Sequence, residues 1–155
     1  MQEGREAKGR KEVKKGETAV YKMERDRWND YFELHVSKTS EDMRSHIEKL
    51  FNEWKCEIPR DGWEETRGLV HPVISIDGPF AYLFLAEDAL GVGVVAHECL
   101  HVATSHERCV MKYRMDYGDE IGEDEERLAY FLSSCTRGVY NTLYENGHIK
   151  EVPRA

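Results

Sequence analysis

The sequence predicts an α+β domain in which a small three-stranded sheet, mixed or antiparallel, packs on a central helix, with two further helices completing the core. Three observations carry that expectation. The apolar run Leu90 to Val102, LGVGVVAHECLHV, is long enough for a helix and contains His97, Glu98 and His101 in an H-E-x-x-H arrangement. Upstream of it lie an alternating segment and two short apolar runs bracketed by Pro, Asp and Gly, which have the period and punctuation of strands. On either side, Met43 to Trp54 and the stretch from Gly122 to Gly147 repeat apolar residues every three or four positions, as helices do.

A chain of 155 residues with 40% hydrophobic content closes one core and has little left for a second. Its net charge of −8 opposes a phosphate-tracking surface, so no nucleic-acid partner is expected. No stretch approaches about 18 consecutive apolar residues, and the N-terminus is charged where a secretory signal is apolar. A soluble, cytoplasmic protein without a membrane partner is the expectation. Cys56, Cys99, Cys109 and Cys135 form no C-x-x-C pair and read as reduced thiols.

In chain order, residues 1–18, MQEGREAKGRKEVKKGET, are nearly all charge and glycine and predict a disordered tail. The domain is expected over 19–147, with a second tail over 148–155. Tyr31 to Val36 alternates and predicts the first strand. Thr39 or Ser40 then caps a helix whose Met43, Ile47, Leu50, Phe51 and Trp54 make a stripe that packs on the sheet. Leu69 to Ile76 and Phe80 to Ala86, joined by Asp77-Gly78-Pro79, predict a hairpin, and Pro72 puts its strand at an edge or a bulge. Glu87-Asp88 is a plausible cap for the helix that follows. On that helix Val92, Val95, Ala96, Cys99, Val102 and Ala103 share one side, and His97, His101 and Gly93 the other. The last helix begins with the acidic turn Glu123, Asp124, Glu125, Glu126, suited to a helix N-terminus, and ends at Asn146-Gly147.

Two histidines four apart on a helix stand one above the other, so both rings reach one metal ion. Glu98 projects beside them and is free to take a proton from a metal-activated water and return it to a leaving group. Zinc at a catalytic site usually has three protein ligands and one open position, so a third ligand is required.

Strand, short turn, buried helix carrying HECLH and a later acidic helix resemble the zincin metallopeptidases over about residues 31 to 145. The resemblance implies a minimal zincin-like fold, one zinc per chain, a peptide or protein substrate, and a strand beside the metal helix that holds the substrate extended. Phe80 to Ala86 is the strand so placed, with the loop Val110 to Ile121 as its partner in specificity. The longer metzincin motif needs Gly at 104 and His at 107, whereas the chain has Thr104 and Glu107. His106, one position off, points away from His101 on a continuous helix. In the gluzincin branch the third ligand is a glutamate on a second helix followed three residues later by a small residue, and Glu126 with Ala129 matches. Glu126-Arg127-Leu128-Ala129-Tyr130 is also similar to the E-x-x-A-Y stretch of small phage and bacterial H-E-x-x-H proteins. Periodicity instead puts Glu125 over the stripe Leu128, Leu132, Cys135 and Val139. Glu126 is taken as the ligand and Glu125 as its near alternative. Tyr130 stands where gluzincins carry an aspartate that orients a histidine.

The implied function is zinc-dependent hydrolysis of a peptide bond, with His97, His101 and Glu126 on the metal and Glu98 as general base. Tyr113, Tyr117, Tyr130 and His106 are candidates for oxyanion stabilisation. Two other classes compete. Glu98-x-x-His101 and Glu145-x-x-His148 match the paired element of di-iron bundles, although Gly147 interrupts the second. A zincin scaffold that binds a partner without catalysis is the third, and it leaves the intact Glu98 unexplained.

Overall fold

The structure, a computed structural model, describes residues 12–25, 28–74, 77–109 and 121–151. Alternation along the strands decides its layering, because successive side chains point to opposite faces. The elements in chain order are β1 (Thr18–Arg25), β2 (Trp28–Ser37), α1 (Ser40–Trp54), β3 (Gly68–Pro72), β4 (Ala81–Ala86), α2 (Val92–Cys109) and α3 (Ile121–Glu145). The sheet order is β1-β2-β4-β3; β2 and β4 run parallel, and both outer pairs are antiparallel.

Phe32, Leu34 and Val36 of β2 and Leu83 and Leu85 of β4 face α2 and α3, in a core with Val95, Cys99, Val102, Phe131, Val139 and Leu143. Phe84 and Ala86 face the other way and meet Met43, Ile47 and Phe51 of α1. The result is three layers, with α1 on one face of the sheet and α2 with α3 on the other. Thr39 caps α1 by accepting from the Asp42 amide at 3.0 Å. The buried stripe of α1 contributes about 1.5–3 kcal/mol per large side chain, enough to hold a 15-residue helix that would be marginal alone.

Among the described residues the sheet has four strands, one more than the sequence predicts. The addition is β1, in which Tyr21 and Met23 pack on the core while Val20, Lys22 and Glu24 face outward. It begins at Thr18, and before it Val13 is buried and Glu17 N–H closes a turn onto the Lys14 carbonyl, so only the part of the expected tail before residue 12 lies outside the described residues. The expected hairpin forms, but β3 ends at Pro72 rather than Ile76, and residues 75 and 76 lie outside the description.

β3 is an edge strand, one of the two places that Pro72 allows. Val73 N–H donates to the Phe80 carbonyl at 2.8 Å. Residues that bond across an antiparallel pair alternate, so Val73, His71 and Leu69 turn their backbone groups to β4, and Pro72, Val70 and Gly68 turn theirs outward. Pro72 therefore removes no bond from the ladder. Asp88 does not cap α2; its carboxylate accepts from Ser40 N–H at 3.0 Å and Ser40 Oγ–H at 2.8 Å, supporting the start of α1. Among the described residues no helix is long and apolar enough to cross a membrane.

Candidate metal centre

α2 is one uninterrupted helix through both histidines, and its buried face is shifted from the one the sequence predicts. Val95, Cys99, Val102 and Ala103 are buried, joined by Glu98, Ser105, His106 and Glu107, whereas Val92 and Ala96 are exposed. The open face carries Gly93, Ala96, His97, Leu100 and His101. There the Nε2 atoms of His97 and His101 lie 3.2 Å apart, with ring planes at 77°. Two nitrogens bound to one zinc at about 2.0–2.1 Å in tetrahedral geometry are separated by about 3.3 Å. The pair thus fits one cation, and the same spacing suits an N–H···N bond between neutral rings.

Glu98 is turned about 100° round the helix from His97. It is buried, 8% exposed, and lies against Gly68 at the start of β3. Burial raises its carboxyl above the ordinary range, and the nearby His97 partly opposes this. A carboxylate raised toward neutrality is a better proton acceptor than a solvated one.

The other expected site residues are placed differently. Glu126 is exposed on α3, as are Ala129 and Tyr130, the last at 74%. No group of three or more His, Cys, Asp or Glu side chains able to hold a metal ion occurs among the described residues, so Glu126 is not gathered to the histidine pair. The side chain of Glu125 and the whole of Tyr113, Tyr117 and the loop 110–120 lie outside the description. His106 is buried in the core side of α2, bonded through Nε2 to Asp30 and stacked on Phe131 at 4.5 Å. It serves packing. Glu107, the next residue, makes a two-pronged ion pair with Arg127 of α3 at 2.8 and 3.2 Å, tying the end of α2 to the start of α3.

The second E-x-x-H element does not join the first. Gly147 takes φ 79° and ends α3, after which His148 bonds to Tyr21 at 2.7 Å and Glu87 at 2.8 Å. Read from the sequence as the start of a tail, His148 is packed into the domain.

A second polar cluster, unanticipated from the sequence, lies under α1. His35 bonds through Nδ1 to His46 at 2.9 Å and through Nε2 to Glu33 at 3.0 Å, beside Phe84 and Tyr82. Burial lowers the pKa of His35, opposed by Glu33, and burial, then His35 and Lys49, lower that of His46 to about 4. Face assignment would have found it, since Glu33 and His35 alternate with Leu34 and so share the face that α1 covers. No protein-family model, curated protein or solved structure matches the chain.

Proposed function

We propose that the protein is a zinc-dependent metallopeptidase that hydrolyses a peptide bond, holding one zinc per chain through His97, His101 and Glu126 with Glu98 as general base. One observation carries this reading. Along a single helix, two imidazoles with Nε2 atoms 3.2 Å apart occupy the open face, and the carboxyl between them in sequence lies against Gly68 at the start of the edge strand.

When bound, zinc supplies a Lewis acid and a water acidified to about neutral pH. His97 and His101 serve as neutral donors. Glu98 accepts the proton of the attacking water and passes it to the departing amine, a task suited to a carboxyl raised by burial. Glu126, exposed on α3, is the third ligand in this reading, and zinc binding would bring its carboxylate to the pair.

The substrate strand is β3 rather than Phe80 to Ala86, which the resemblance pointed to. β4 is paired on both sides and has no backbone group to spare. β3 presents the outward N–H and C=O groups of Gly68 and Val70, to which an extended peptide can add as a further strand. None of the four cysteines is in a disulfide, which suits a reducing compartment such as the cytoplasm.

Glu98→Gln is the deciding experiment, run with zinc content, melting temperature and cleavage of a peptide library measured together. The change keeps size and removes the base, so zinc stoichiometry and folding should survive while hydrolysis falls by about 100-fold or more. Unchanged hydrolysis, or loss of zinc from the variant, would overturn these roles.

A further inference from the structure

We propose that Gly68 is a positioning residue for this hydrolysis: its missing side chain is what lets Glu98 lie against the edge strand where the substrate backbone would be read. The inference rests on the peptidase reading and adds to it a residue outside the H-E-x-x-H motif.

Gly16, Gly62 and Gly147 have φ of 83°, 72° and 79°, so their backbone alone calls for glycine. Gly68 has no such need, being within a strand at negative φ or extended backbone. Around Gly91 and Gly93 an added Cβ would meet open space, and at Gly138 only an ordinary contact at 3.7 Å. At Gly68 it would stand 2.8 Å from Glu98 Cγ, 3.1 Å from Oε1 and 3.2 Å from Cδ. Of Gly68, Gly91, Gly93 and Gly138, only the first is a place where a side chain collides, and what it collides with is the proposed base. Cγ is near the root of the Glu98 side chain, so a small rotation at the tip cannot relieve the clash.

The cost runs the other way from a packing role. Glycine weakens a strand, having no side chain to pack and more chain entropy to lose. Alanine in place of Gly68 would strengthen β3 if Glu98 were absent. With Glu98 present, the added methyl group and the carboxyl need the same volume, and the base is pushed off the strand toward solvent. Gly68 turns its own N–H and C=O to the free edge, so a peptide pairing with β3 has its backbone brought next to Glu98 at this position.

A mutant cycle in the metal-free protein tests the contact. Gly68→Ala should lower the melting temperature by about 3–8 °C in the parent, yet be neutral or stabilising in the Glu98→Ala background, where Cγ is gone. Equal destabilisation in both backgrounds would overturn the proposal. The functional arm uses zinc-loaded protein and a peptide cleaved by the parent. There Gly68→Ala should lower kcat at least 10-fold with KM within about twofold and one zinc retained, and should add no further loss to Glu98→Gln. Full kcat in Gly68→Ala, with Glu98→Gln inactive, would overturn the positioning role and leave the peptidase reading standing. A parent that cleaves no peptide would overturn the peptidase reading and this role with it.

Discussion

Three side chains within five residues of α2 acquire different fates from direction alone. His97 and His101 point to the open face, and Glu98, rotated by one residue, is carried against β3 at Gly68. His106 belongs to the same helix and is a comparable donor, yet its azimuth buries it on Asp30 and Phe131. The proposed third zinc ligand is tested at the same scale. Glu126 is exposed and thus free to swing, so Glu126→Gln should weaken zinc binding by about 10-fold or more, well beyond the effect of Glu125→Gln. Competition with a chromophoric chelator measures both, and an equal or larger loss in Glu125→Gln would transfer the role to that residue.

At the scale of elements, α1 is held by an apolar stripe at its middle and by polar contacts beside it. Met43, Ile47 and Phe51 give the stripe, and the His46–His35–Glu33 chain crosses from helix to sheet. Both histidines are kept neutral in the fold, with pKa values below the unfolded value of about 6.5, His46 at about 4. The folded state therefore binds fewer protons than the unfolded chain between those values. Stability from this pair is fully present above about pH 6.5 and is lost as pH falls toward 4. The groups facing the pair are Glu33 on β2, which opposes the shift of His35, and Lys49 on α1, which adds to that of His46. Because His46 is only half-buried, screening reduces the effect to about 1 kcal/mol. Urea midpoints should fall between pH 7 and 4.5, and His46→Gln should flatten that fall; an unchanged slope in the variant would exclude the pair as its source. The short 3-10 turn Glu87–Ala89 also acts between elements, with Asp88 supporting α1 and Glu87 meeting Lys38 and His148.

The whole molecule is closed by a contact that spans the chain: Tyr21 near the beginning, Glu87 in the middle and His148 near the end form one hydrogen-bonded series. The His148 side chain is 1% exposed, so His148→Ala would leave a cavity and strip a partner from two polar groups. The expected loss of about 2–3 kcal/mol should lower the melting temperature by about 5–10 °C in calorimetry. A shift under 1 °C would show that the clamp contributes nothing. The sequence by itself determined the helices, a cap at Thr39 or Ser40, the β3–β4 hairpin, an edge or bulged place for Pro72 and the shared face of His97 and His101. Each depends on period, turn chemistry or a missing N–H within a few residues. It did not determine β1, where the exposed Val20 stands beside the inward Tyr21 and blurs the alternation that marks β2. Nor did it determine that β4 lies inside the sheet and β3 outside it, that His106 serves packing, that His148 closes the domain, or that Gly68 lies under Glu98. Those follow from which elements become neighbours. Strand order and the approach of residues 30 positions apart are set by burying two faces of one sheet at once, a constraint that no local stretch of sequence contains.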